Sequence, residues 1–160
     1  MRPALNELVE KYKNNLYAVA FNVCKNPDDA EDAVQDTFVS YFSNRKEFET
    51  EEHVKAWLIR VAINKAKNIN NSFWRKNKVT LDETMETLAF ETEESKDLFE
   101  TVMKLPEKYR IAIHLFYFED YTVKEISEIL KTSESNVKVR LSRGRNLLKE
   151  TLKEGWEDDE

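Results

Sequence analysis

Residues 121–149 read YTVKEISEILKTSESNVKVRLSRGRNLLK. Thr122-Val-Lys-Glu125 fits a capping box, in which the Thr oxygen takes the amide three residues on and the Glu side chain returns to the Thr amide. Ile126, Ile129 and Leu130 then give this helix an apolar side. Lys131-Thr-Ser133 is a short connector, and Ser133 caps a second helix from Glu134 to about Leu152. On a wheel of about 100° per residue, Val137, Leu141, Gly144 and Leu148 fall within about 60° of arc. Ser135, Val139, Ser142, Arg143 and Asn146 lie opposite. Lys138, Arg145 and Lys149 flank one edge, Asn136 and Arg140 the other. One side packs, and the rest presents donors at a spacing suited to a DNA major groove, so the pair reads as a helix-turn-helix. The bland alternative is a solvated basic helix end; the capped helix and tight connector before it count against that. Gly144 costs roughly 1 kcal/mol against Ala inside a helix, so its place on the packing stripe argues for close approach of another helix.

The composition supports a helical reading of the whole chain. Of 160 residues only two are Gly and three Pro, about 3% against roughly 12% in ordinary usage. That excludes a dinucleotide-binding fingerprint, a P-loop and a Gly-containing calcium loop. No Asn-Gly or Asp-Gly pair exists to turn a hairpin. The chain is therefore read as all-α. Lone Cys24 admits no internal disulfide and reads as a buried, inert thiol. His53 and His114 lack partners at metal-ligand spacing, so no metal and no cofactor is expected. The longest apolar run, Leu16 to Phe21, is too short to span a membrane, and no signal peptide is readable. A cytoplasmic protein is expected. The net charge of −6 argues against a generic nucleic-acid coat, yet residues 131–153 hold seven Lys and Arg against two Glu, a net of +5.

Upstream, Leu5, Leu8, Val9, Tyr12, Leu16, Val19, Ala20 and Val23 predict a helix over 4–24. Asn26-Pro27 stops it and starts the next, with Asp28, Asp29 and Glu31 complementing the dipole. That helix runs to about Phe42 on an inward stripe of Ala30, Val34, Thr37, Phe38 and Tyr41. Asp32, Gln35 and Asp36 lie on another face. Residues 43–52 read as a loop. A third helix over about 53–72 buries Val54, Trp57, Leu58, Val61, Ala62 and Ile69. Its polar row is Arg60, Asn64, Lys67, Asn68 and Asn71, followed by Phe73, Trp74, Arg75 and Lys76. Residues 78–100 hold eight acids against two Lys and read as a linker, with Ser95 opening the next helix. Leu98, Val102 and Leu105 mark that helix; Leu105-Pro106 breaks it before a densely apolar one with Ile111, Ile113, Leu115, Phe116 and Phe118. The division is 1–76, a linker 77–94, a second domain 95–153 and a frayed acidic tail 154–160.

Two further constellations carry meaning. The polar row of the third helix with its neighbouring aromatics suits single-stranded bases and backbone; core aromatics beside a solvated face fit it as well. Asp32, Gln35 and Asp36 have no base, nucleophile or metal partner, so paired-carboxylate catalysis has little support and the carboxylates read as solvent-facing.

In this order the segments resemble the sigma factors of bacterial RNA polymerase, specifically the small extracytoplasmic-function group. Asp29-Ala-Glu-Asp-Ala-Val-Gln-Asp-Thr-Phe38 resembles the region 2 helix that docks on the polymerase clamp coiled coil. Phe48 with Val54-Lys-Ala-Trp-Leu-Ile-Arg-Val-Ala-Ile-Asn64 resembles the promoter-melting and minus-10 segment. Leu105-Pro-Glu-Lys-Tyr-Arg110 and Tyr121 to Leu130 resemble the start and first DNA-binding helix of region 4. Val137-Lys-Val-Arg-Leu-Ser-Arg-Gly-Arg145 resembles its recognition helix. Many relatives carry Ala where this chain has Gly144, and more arginines after the third helix.

The resemblance implies two helical domains, region 2-like and region 4-like, joined by a flexible acidic linker. It implies an alternative sigma factor, not an enzyme, that binds core RNA polymerase at its clamp coiled coil and flap and directs initiation at promoter DNA. An anti-sigma factor is a further implied partner; a small-molecule substrate and membrane insertion are not expected. By position, Asp32, Gln35 and Asp36 fall to polymerase. Phe48, Arg60, Asn64, Lys67, Asn68 and Asn71 fall to the minus-10 element, with loop 44–52 and Phe48 as the pocket for an unstacked base. Asn136, Lys138, Val139, Arg140, Ser142, Arg143 and Arg145 fall to the minus-35 element. The rival is a stand-alone helix-turn-helix regulator, which leaves the first domain unexplained and ordinarily needs a dimer. A helical interaction protein whose basic helix meets acidic partners is a second rival.

Overall fold

Asn26 begins a helix because its side chain accepts from the Asp29 amide at 2.9 Å and Pro27 stands at the first helical position. Just before it, Lys25 ends the preceding helix in the left-handed region at φ 56°, its amide reaching Phe21. With so few glycines in the chain, a lysine takes a conformation that usually falls to Gly. The result is α1, Leu5–Cys24, and α2, Pro27–Ser43, joined almost without a loop. A longer connector leads to α3, Glu51–Asn70, which opens two residues before the expected start. Its opening follows Thr50, whose carbonyl accepts from Val54 and whose hydroxyl accepts from the His53 amide.

The computed structural model describes residues 1–70 and 90–158, with side chains through Thr151. Asn71, Phe73, Trp74, Arg75 and Lys76 lie outside the described residues, as do residues 77–89 of the expected linker. The described helices are joined by no strand, and none of them is long and apolar enough to cross a membrane. The chain divides into two units, Met1–Ala89 and Phe90–Glu160.

In the first unit α1, α2 and α3 each pack on the other two. Leu8, Leu16, Val19, Phe21, Ala30, Ala33, Leu58, Ile59, Ala62 and Ala66 make a core with almost no solvent exposure. Burying an aliphatic or aromatic side chain of this size stabilises by about 1.5–3 kcal/mol. Small residues on α2 and α3 let the axes come close, and Asn70 fixes the end of α3 by donating to the Val23 carbonyl at 2.7 Å. The buried side of α3 agrees with the expected one in part: Val54, Leu58 and Ala62 are buried, joined by Ile59, Ile63 and Ala66, whereas Trp57, Val61 and Ile69 are only partly covered. Cys24 is half-buried rather than enclosed, its thiol 3.5 Å from the Asn26 carbonyl.

The second unit holds α4, Glu93–Val102, α5, Glu107–Tyr117, α6, Val123–Leu130, and α7, Glu134–Asp158. Thr92, not Ser95, caps α4; its hydroxyl accepts from the Ser95 amide at 3.0 Å. Phe90 packs on Phe99 at 5.3 Å between ring centroids, so the last part of the expected linker is already folded onto this unit. α5 is buried over six consecutive residues, Arg110 to Leu115, which makes it the central post against which the others rest. Arg110 stays inside because it donates to the Leu105 carbonyl at 2.9 Å. The Thr122–Glu125 capping box is formed on both sides. Lys131, again left-handed at φ 53°, closes α6, and Ser133 accepts from the Asn136 amide at 3.0 Å to open α7. α7 continues to Asp158, past the expected end near Leu152 and into the segment expected to fray.

Candidate nucleic-acid interface

On α7, Val137, Leu141, Gly144 and Leu148 are buried, the four residues that the wheel places inward. At Gly144 the side chains of α5 come close. A Cβ there would sit 2.9 Å from Ile113 Cγ1 and 3.1 Å from its Cδ1, and Ile113 is fully buried. The notch turns the opposite side outward. Asn136, Lys138, Val139, Ser142 and Arg143 are exposed, while Arg140 and Arg145 are half-buried.

One arginine of this helix is held by a tyrosine of α5. Arg145 Nε donates to the Tyr117 hydroxyl at 2.8 Å, and its guanidinium stands 5.2 Å over the Phe116 ring. Arg145 is thus partly occupied within the protein, a role the wheel does not reveal. The Tyr109 phenol has its pKa lowered, first by neighbouring Arg143 and then by the Lys108 charge. Asn136 Nδ2 donates to Thr132 at 3.0 Å across the turn. The surface is cationic, donor-rich and pre-shaped, the chemistry that phosphates and base edges take.

On α3 the polar row is brought together as the spacing requires. Asn64 and Asn68 are exposed, Arg60 and Lys67 half-exposed. Phe48 departs from expectation: it is 7% exposed, stacked on Tyr41 at 6.3 Å and edge-on to Trp57 at 6.0 Å. An aromatic closed in by two others is a floor, not an open pocket. The exposed part of the loop is Arg45, Lys46, Glu47, Glu49 and Thr50.

α2 presents a different face. Asp32, Gln35 and Asp36 are exposed together. In line with them stand Val39, 61% exposed, and Phe42, 72% exposed, two residues that the sequence reading left out of this face. Gln35 also edges a groove of about 550 Å³ between α1 and α2, lined by Val9, Tyr17, Val34 and Phe38. Nearby, partial burial and the charges of Asp32 and Asp28 raise the Asp29 carboxyl above its ordinary value.

The family model for sigma-70 region 2 matches residues 8–79, and that for sigma-70 region 4 matches residues 95–148. The chain is 33% identical over 147 residues to RNA polymerase sigma factor SigV of Bacillus subtilis, covering 88% of this chain and 86% of that protein. It is 27% identical over 168 residues to the ECF RNA polymerase sigma factor SigW of the same organism, covering 94% and 90%. Among solved structures, CnrH in complex with the cytosolic domain of CnrY matches at TM-score 0.69 and 25% identity, over 93% of this chain and 87% of that one.

Proposed function

The chain belongs to the extracytoplasmic-function group of the sigma-70 family and directs promoter-specific initiation as an alternative subunit of RNA polymerase; on that premise we propose which of its surfaces does what. The observation that carries the assignment is the opposite chemistry of two open faces. The face of α2 is acidic with apolar anchors, and that of α7 is basic with hydrogen-bond donors.

Core RNA polymerase docks on α2 through Asp32, Gln35, Asp36, Val39 and Phe42. Exposed apolar side chains rimmed by carboxylates suit a protein partner, the anchors giving affinity and the charges giving register. α7 enters the duplex major groove at the minus-35 element. Lys138, Ser142 and Arg143 meet base edges, and Val139 meets a thymine methyl. Asn136 and Arg140 lie toward the phosphates. Arg145 reaches a phosphate only with the groups left free by Tyr117. The polar row Arg60, Asn64, Lys67 and Asn68, with the exposed part of loop 44–50 above the Phe48 floor, receives the opened minus-10 strand. Extracting a base costs a few kcal/mol, which edge hydrogen bonds and stacking must return.

The protein acts by differential binding: polymerase supplies the chemistry, and this subunit supplies address and strand opening, with no catalysis of its own. It works in the cytoplasm, where polymerase and promoter are. A regulatory partner of the anti-sigma kind fits the family, and the CnrH relative solved with the cytosolic domain of CnrY supports a partner chain of that sort. The test is run-off transcription in a purified system. A promoter-specific transcript that needs both this chain and core polymerase is the expected result. Binding of an operator by the chain alone, with no stimulation of polymerase, overturns the reading.

A further inference from the structure

The connector between α2 and α3, residues 44–50, has neither Gly nor Pro and no regular structure. The last carbonyls of a helix also lack partners within the helix. Both needs are met from far away in sequence, by Arg2. Its Nη2 donates to the Tyr41 carbonyl at 2.6 Å and also to the Asn44 carbonyl. Its Nη1 donates to the Lys46 carbonyl at 3.0 Å. The guanidinium carbon stands 4.3 Å over the Tyr41 ring, and the Tyr41 hydroxyl donates to the Pro3 carbonyl. The Phe48 amide donates to the Met1 carbonyl at 2.9 Å, so residues 1–3 lie along the loop as a strap. Pro3 favours that extended course by disfavouring the helical region for the residue before it.

We infer that Arg2 is a positioning residue for minus-10 recognition: by holding the carbonyls of Tyr41, Asn44 and Lys46 it sets the shape in which the loop offers its exposed side chains to the opened strand. The inference rests on the assignment of this loop to the minus-10 element. The three carbonyls lie on the α2 end of the loop, while the Arg45, Lys46 and Glu49 side chains are exposed and that of Glu47 reaches back to the Met1 ammonium at 3.1 Å. Arg2 therefore controls the backbone without occupying the surface that meets DNA. A planar fork with several fixed donors can serve three carbonyls at once and lie on a ring; an ammonium cannot do both. A receiving surface displaced by about an ångström loses much of its discrimination.

The experiment uses holoenzyme reconstituted from the full chain and core polymerase, and a promoter library randomised at the minus-10 element with a fixed minus-35 element. Arg2→Gln is expected to flatten minus-10 base preference by about tenfold, the scale of one good base contact. Polymerase affinity and minus-35 preference stay as in the parent, and Arg2→Lys restores the preference only in part. Arg45→Ala and Glu49→Ala, made in parallel at exposed loop side chains, test the loop itself. If they change minus-10 preference and Arg2→Gln does not, the positioning role is overturned while the loop assignment stands. If neither loop variant changes the preference, the loop assignment falls and takes the inference with it. If Arg2→Gln weakens polymerase binding, minus-35 preference and minus-10 preference alike, its role is structural and the inference is overturned.

Discussion

α2 and α7 each bury one side and leave the other open, but the open sides have opposite character. Along α2 run Asp32, Gln35 and Asp36 with Phe42 72% exposed; along α7 run Lys138, Ser142 and Arg143, with Val139 the exposed large apolar residue among the described side chains. An uncovered phenylalanine beside carboxylates is costly to leave in water and useless against a phosphate backbone. It is well suited to a protein partner. A cationic, hydroxyl-bearing face is suited to DNA, whose interfaces are polar and positively charged on the protein side. The net charge of −6 averages these faces away. The distribution of charge therefore says more about partners than its sum does.

The two faces also differ in support, and acid should expose the difference most strongly. α7 rests on α5, in which His114 is 1% exposed and lies against Phe118 at 5.2 Å. Neither ring nitrogen has a hydrogen-bond partner among the described residues. Burial alone lowers its pKa from 6.5 to about 3. The folded unit thus holds the neutral ring, while the unfolded chain takes up a proton below 6.5. Stability is fully present above that value and is lost as pH falls from it toward 3, by up to about 1.4 kcal/mol per pH unit. Hydrogen exchange between pH 7 and 5 should show the second unit loosening ahead of the first. His114→Leu should remove that slope. A slope left unchanged by the substitution would show that another group carries it.

Polymerase binding tests the α2 side of the contrast. Phe42→Ala should weaken core binding by about 2 kcal/mol or more if the ring is an interface anchor, nearly independently of salt. Reversal of Asp32 and Asp36 to Arg should weaken it too, more at low salt than at high salt, because screening acts on exposed charge. Titration of core polymerase with labelled protein at two ionic strengths separates the effects. Equal affinity for all three proteins removes α2 as the dock.

The α7 side makes a finer prediction. Arg143→Ala should relax minus-35 preference at one or two positions, at about 1–3 kcal/mol of discrimination. Arg140→Ala should weaken every site alike and reduce the salt slope by about one unit. A promoter-library assay at several salt concentrations reads both. A wild-type preference profile with uniformly reduced activity for Arg143→Ala would make Arg143 a backbone contact.

How far this was legible depends on how many sides of a helix are apolar. α7 has a single narrow stripe, so its buried and open faces could be assigned from spacing alone. α3 is apolar around much of its circumference, with Trp57, Ile59, Val61 and Ile63 all plausible inward residues; only packing against α1 and α2 chooses Ile59 and Ile63. In α2, Phe38, Val39, Tyr41 and Phe42 are near neighbours, and nothing in their order says that Val39 and Phe42 are the uncovered pair. Thr92-Glu-Glu-Ser95 carries a capping signal, but the acidic run around it reads more readily as linker. The Arg2 strap joins residues about 40 positions apart through backbone carbonyls, which have no side-chain identity to detect. The Tyr117 support under Arg145 is hidden likewise, because it belongs to a different helix.

The smallest effect concerns the seat of α7. Gly144→Ala should gain roughly 1 kcal/mol of helix propensity. Here the added methyl would meet Ile113 Cγ1 at 2.9 Å. That atom belongs to a fully buried, β-branched side chain with little freedom to move. Overpacking of a filled core costs about 1–3 kcal/mol, so the net should be a loss of about 1 kcal/mol together with a slight displacement of α7 from α5. With Ile113 cut back to Ala the clash is gone and only the propensity gain is left. In that background Gly144→Ala should therefore raise stability. A change of sign between the two backgrounds, measured by denaturant unfolding, identifies close approach as the reason for the glycine. If the substitution stabilises in both, α5 yields to the methyl, and the outward angle of the α7 face is set by the Tyr109 and Tyr117 contacts rather than by the notch.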